Sequence, residues 1–129
     1  MFLVTPLFAA VLALMFVLLC INVVRIRLRE QVSLGDGDNK QLNIAIRTQA
    51  NFVEYVPFTL LLMWLLESID FSPARVFWIG VALVLARILH VIGMSFPNRF
   101  MVCRQIAVVL SFGLLVWLSV ALLGYYLAP

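Results

Sequence analysis

The sequence predicts an all-α fold: an integral-membrane four-helix bundle of up-down topology. Two observations predict it. Of 129 residues, 65% are hydrophobic and only 12% charged, a balance that would cover a soluble domain in exposed apolar surface. The apolar residues also fall into four runs long enough to cross a hydrocarbon core of ~30 Å. Four such runs occupy almost the whole length, so one domain over residues 1–129 is expected, with no internal repeat or low-complexity segment.

The first run is Phe2–Val24, 23 residues or about 35 Å of helix. It lacks the positive n-region of a signal peptide, since the first basic residue is Arg25, and it is too long for an h-region. It is read as a retained first span, about residues 2–24. "RIRLREQVSLGDGDNKQ" follows, in which "GDGDN" at 35–39 is the clearest turn signal in the chain. The second span is expected at about 44–66, ending at "ESID". The third is expected at about 71–94, with Pro73 suited to its first turn. "SFPNR" with Pro97 should stop it, and the fourth span is expected at about 105–127. Short connections between the four make antiparallel neighbours.

Charge placement predicts orientation. The first loop holds Arg25, Arg27, Arg29 and Lys40, with Arg47 close by, and the third holds Arg99 and Arg104. The second loop carries Glu67, Asp70 and one Arg75, and neither terminus carries Lys or Arg. The positive-inside rule then puts loops 25–43 and 95–104 in the cytoplasm and both termini outside. Trp64, Trp78, Tyr125 and Tyr126 fall at the outer ends of their helices, as in an aromatic belt. Cys20 and Cys103 fall at the inner ends and read as two free apolar thiols in a reducing compartment. The net charge of +3 is spread among apolar residues, so no nucleic-acid partner is expected. One histidine and two distant cysteines make no metal site.

The second span is the anomaly. "IRTQANFVEYVPF", residues 46–58, carries Arg47, Gln49, Asn51 and Glu54 inside an apolar helix. At 100° per residue, Arg47, Asn51, Glu54 and Tyr55 share an arc of roughly 100°, and Gln49 points elsewhere. Glu54 lies ten residues beyond Ile44, about 15 Å along the axis. A lipid-facing carboxylate there costs about 2.5–3.5 kcal/mol or more. That face must therefore meet protein, water or a ligand.

One solution is structural: Arg87 on the third span reaches a similar depth, and an Arg87–Glu54 pair would join two helices. The other is a ligand. Arg27, Arg47, Arg87 and Arg104 outnumber the single Glu54 in the inner half of the bundle. Arg87, His90 and Met94 share a face by i, i+3, i+7 spacing. Surplus guanidiniums call for an anion and offer bidentate forks to carboxylates. Glu54 can take an amine, and Asn51, Gln49 and Tyr55 can add neutral hydrogen bonds. The residues ask for a small zwitterionic ligand, net anionic, entering from the cytoplasmic side.

The run Arg47-Thr-Gln49-Ala-Asn51-Phe-Val-Glu54-Tyr55-Val-Pro57 resembles the signature of the membrane-associated proteins in eicosanoid and glutathione metabolism. "VSLGDGDNKQL" before it and "LVLARILHVIGM" at 83–94 resemble the bacterial branch, so the likeness spans nearly the whole chain. The resemblance implies a left-handed four-helix bundle in a bacterial inner membrane, assembled as a homotrimer. It implies glutathione as co-substrate between neighbouring subunits, with no bound cofactor. Arg47, Asn51, Glu54 and Tyr55 then fall on glutathione-binding positions. Gln49 serves the same ligand across the interface, and Arg27 falls on the first-span arginine that holds a glutathione carboxylate. Arg87 matches the third-span arginine preceding the glutathione contacts. His90 and Met94 stand where the leukotriene-synthase branch has tyrosines; His90 can still hydrogen-bond, and Met94 cannot usefully do so. Two residues compete for the thiol-activating arginine, Arg99 and Arg104, and Cys103-Arg104-Gln-Ile-Ala107 resembles the family's local pattern better.

The implied chemistry is thiol activation and transfer. A guanidinium lowers a thiol pKa from about 8.5 by stabilising the thiolate. The thiolate attacks a lipophilic electrophile dissolved among the membrane lipids, and the protein supplies proximity. A glutathione transferase, with or without peroxidase activity, is the expected function. A non-catalytic glutathione- or lipid-binding scaffold is the alternative. A small multidrug-type exporter fits less well, because the first span carries no carboxylate.

Overall fold

The computed structural model describes residues 3–128. Four α-helices account for nearly all of them, and each is long and apolar enough to cross a membrane. They are α1 (Thr5–Glu30), α2 (Lys40–Ser68), α3 (Pro73–Ser95) and α4 (Met101–Leu127). Among the described residues there is no strand. α3 packs most extensively on α4 and α1 on α2, α2 touches all three others, and α1 makes no contact with α4.

The helix ends extend beyond the apolar runs. α1 continues six residues past Val24, and α2 and α4 begin about four residues earlier than hydropathy suggests. Apolarity marks where lipid begins, whereas a helix continues until its backbone is turned or capped. Arg25, Arg27 and Arg29 are good helix formers and can keep their guanidiniums in the interface. α1 stops where Gln31 adopts φ 57° and the Val32 amide closes onto the Arg27 carbonyl, a left-handed cap. α2 starts where the Asn39 side chain accepts from the Leu42 amide at 2.9 Å, an N-cap bond. Between them, Gly35 and Gly37 take positive φ, which glycine adopts without penalty. In the same loop Asn43 donates to Asp36 at 2.7 Å. That bond, with one from the Asp38 amide, holds the Asp36 carboxyl below its ordinary range.

The core has two parts. Phe8, Leu12, Phe52, Val56, Met63, Leu66, Val76, Leu83 and Leu118 form the larger cluster, drawn from all four helices. Val23, Ile26, Leu42 and Ala45 form a smaller one between α1 and α2 beside the first loop. In a bilayer such contacts gain from close packing rather than from leaving water. Gly80 shows how close: a Cβ there would fall 2.3 Å from the Phe8 ring. Trp64, Trp78, Tyr125 and Tyr126 are all exposed, at the bundle end that holds the start of α1, the end of α4 and the second loop.

Glu67 departs from its expected role as a loop charge. It is buried, and its carboxylate accepts from the Val4 and Thr5 amides, the latter at 3.0 Å. The first amides of α1 have no intrahelical acceptor, and an anion at a helix N-terminus is favoured. One carboxylate thus ties the start of α1 to the end of α2. Glu67→Ala should destabilise the bundle by about 1.5–3 kcal/mol, the range for hydrogen bonds to a charged group. Thermal unfolding in detergent checks this, and an unchanged midpoint would show that the cap contributes nothing.

Candidate functional site

The polar residues of the second span meet those of the third and fourth at the bundle end that holds the first and third loops. There a cavity of about 380 Å³ is lined by Asn43, Ile44, Arg47, Asn51, His90, Met94, Arg104 and Val108. α2 contributes Arg47 and Asn51 one turn apart, α3 contributes His90 and Met94 at i and i+4, and α4 contributes Arg104 and Val108 likewise. Arg47 and Arg104 are exposed, Asn51 half-buried and His90 buried. Two guanidiniums line the cavity and no carboxylate does.

Helix spacing alone does not bring α4 onto this wall. A Cβ on Gly93 would lie 2.5 Å from the Arg104 backbone nitrogen. Backbone cannot yield as a side-chain tip can, so glycine at 93 is what lets α4 begin against α3 with Arg104 at the rim. Arg99 lies elsewhere: it is exposed, with its guanidinium carbon 5.2 Å from the Phe100 ring centroid, and it does not line the cavity.

Arg87 stands behind this cavity rather than in it. It is only 1% exposed. Its Nη1 donates to Asn51 Oδ1 at 2.9 Å, its Nη2 donates to Ser111 Oγ, and its guanidinium carbon lies 5.8 Å from the Tyr55 ring centroid. Its Nε has no hydrogen-bond partner. The Arg87–Glu54 ion pair considered from the sequence is absent. Among the described residues the sole ion pair is Arg29–Glu30. The cause is rotational: Asn51 and Tyr55 turn toward α3 and α4, whereas Glu54 is exposed on the outside of the chain. Tyr55 packs edge-on against Phe112 at 5.5 Å.

The remaining two predicted residues lie apart from the cavity. Gln49 faces α1, where its Nε2 donates to Cys20 Sγ at 3.4 Å. Arg27 donates from Nη1 to the Gly35 carbonyl at 2.8 Å and more weakly to that of Val32, so it braces the first loop. Within one chain, then, Arg47, Asn51, His90 and Arg104 converge, with Arg87 and Tyr55 supporting them from behind. Glu54, Gln49 and Arg27 lie on other faces. Sequence reasoning missed Asn43 and Ser111. Ser111 was findable, because it follows Arg104 by seven residues on the same face of α4. No group of three His, Cys, Asp or Glu side chains suited to a metal occurs among the described residues.

Four apolar helices, three of which line an arginine-bearing cavity at one end of the bundle, define a membrane protein with a polar site between its helices. The chain belongs to the MAPEG family, whose model matches residues 5–124. It is 34% identical over 90 residues to the inner membrane protein YecN of Escherichia coli K12, covering 70% of this chain and 69% of that one. The YecN of E. coli O6:H1 matches to the same extent. No solved structure matches the chain.

Proposed function

We propose that the cavity binds glutathione, or a thiol of the same charge pattern, and presents its thiolate to lipophilic electrophiles in the bilayer, as a glutathione transferase does. One observation carries this reading: Arg47, Asn51, His90 and Arg104 line a single cavity that contains no carboxylate. Two guanidiniums facing one cavity with no carboxylate favour an anion, and carboxylates fit their forked geometry. The volume lies within the ~300–1,000 Å³ common for small-ligand pockets. Arg47 and Asn51 hold carboxylate or carbonyl groups, His90 adds a neutral hydrogen bond, and Arg104 at the rim stabilises the thiolate.

The unpaired faces support contact with a neighbouring copy, and the family resemblance makes that assembly a homotrimer. Glu54 is exposed on the single chain and has no ion-pair partner among the described residues, which is costly in lipid. A neighbouring copy would cover it and bring its own Arg27 and Gln49 to the ligand. Native mass spectrometry in detergent should then show trimer; monomer or dimer alone would refute it. The arginine bias of the first and third loops supports a cytoplasmic cavity mouth with both termini outside. A cysteine probe at Gly37 labelled only from the outer face would invert that topology.

The test of function is thiol conjugation by purified protein with a generic aromatic electrophile and several thiols. Saturable turnover with glutathione is expected. Binding without turnover would support the scaffold alternative, and neither binding nor turnover would remove glutathione as the ligand.

A further inference from the structure

We propose that Arg87 does not contact the cavity's ligand but decides which atom of Asn51 does. The buried guanidinium turns the Asn51 amide so that its NH2 faces the cavity as a fixed donor for a ligand carboxylate or carbonyl oxygen. This rests on the anion-cavity reading above and deepens it.

Three contacts support it. A guanidinium offers donors and no acceptor. The Asn51 atom 2.9 Å from Arg87 Nη1 must therefore be oxygen, so the chemistry settles the sense of an amide whose two ends are otherwise hard to tell apart. Asn51 also lines the cavity, and Nδ2 is the atom left to face it. Ser111 fixes the other arm. Its own proton goes to the Ala107 carbonyl at 2.7 Å, so its oxygen can only accept from Arg87 Nη2. The Tyr55 ring lies beside the guanidinium. Arg87 is thereby held against α2 and α4 while rooted on α3, and it cannot swing toward the cavity without losing both bonds.

The polarity runs one way, from the cation through Asn51 to an outward donor. Hydrogen bonds in such a chain strengthen one another at low dielectric. The arrangement also explains a buried charge among neutral partners. For folding alone, an apolar residue in its place is often neutral or better. The cation is useful where a donor must be kept from flipping to an acceptor. Arg87 is in these terms a positioning residue.

The test is equilibrium binding of glutathione and its two mono-amides, each with one carboxylate replaced by a carboxamide, to the purified full-length protein. Asn51→Asp keeps the side-chain volume and still gives Arg87 an oxygen, so the fold should hold. It replaces the cavity donor with an acceptor. Glutathione affinity should fall about tenfold or more, the scale of one hydrogen bond to a charged group. One mono-amide should lose much less, because its NH2 can donate to the new carboxylate. Arg87→Lys keeps the charge but cannot fork between Asn51 and Ser111, and acid-over-amide discrimination should shrink toward unity. A purely structural Arg87 would change thermal stability without changing that preference. Unaltered acid–amide ratios in Asn51→Asp overturn the proposal, as does wild-type discrimination in Arg87→Lys. Should Arg87→Lys not fold, Asn51→Asp alone decides. A wild type that binds none of the three ligands overturns the anion-cavity reading itself, a different result from binding with unchanged preference.

Discussion

Arg47→Ala should abolish most glutathione binding while leaving the protein folded. The expected loss is about 2–5 kcal/mol, the cost of truncating one partner of a buried charge pair. That is roughly a 30- to 5,000-fold rise in Kd. Arg47 lies in the second turn of α2, exposed in the single chain and with no hydrogen bond or ion pair to another described residue. Its removal therefore orphans nothing and should not lower unliganded stability. A ligand stabilises a folded protein according to its concentration relative to Kd, so the thermal shift given by glutathione should vanish in the variant. A shift that persists undiminished would mean that the cavity arginines serve the fold and not a ligand.

Arg104→Ala should act on rate instead of affinity. Arg104 stands at the cavity rim, placed there by the close approach of α4 to Gly93. Other groups, Arg47 and Asn51 among them, remain to hold the carboxylates, so glutathione affinity should change little. The thiolate is the nucleophile, and losing the guanidinium should reduce its population at neutral pH, visible as lost ultraviolet thiolate absorbance. The conjugation rate should fall by about 10²–10³-fold, the scale for removing one donor to a reacting anion. Lowered kcat with little change in apparent glutathione affinity is the signature of an interaction that matters mainly in the transition state. Arg99→Ala should do little, because Arg99 lies over Phe100 in the loop. Full activity in Arg104→Ala would assign thiol activation to another group.

The architecture was legible because bilayer thickness imposes it. Pro73 opens α3, Pro97 lies just past its end and 35–39 are loop, since those residues act through local backbone geometry. Helix ends were less legible at Arg25–Glu30 and Lys40–Asn43, because apolarity tracks lipid and a helix does not stop at the headgroups. The convergence of Arg47, Asn51, His90 and Arg104 followed from facing helices at matched depth. The roles of Arg87 and Glu67 did not follow from spacing. Helical periodicity gives a direction around one axis, and only packing decides which neighbour stands there. Depth along the helices pairs Arg87 with Glu54, but α2 presents Asn51 to it and carries Glu54 around to the outside. Glu67 reads as a loop charge in the sequence because the amides it caps, at Val4 and Thr5, lie more than sixty residues away. Gly93 carries no sequence signal for its part at all; its importance appears only once the Arg104 backbone is seen against it.

The central claim is an anion-binding cavity in the membrane half that holds the first and third loops. Direct titration of glutathione into the purified wild-type protein, at low and at raised salt, tests it most directly. The predicted result is saturable binding approaching one ligand per chain that weakens as salt screens the arginines. Absence of saturable binding, or binding indifferent both to salt and to the loss of Arg47, would contradict it.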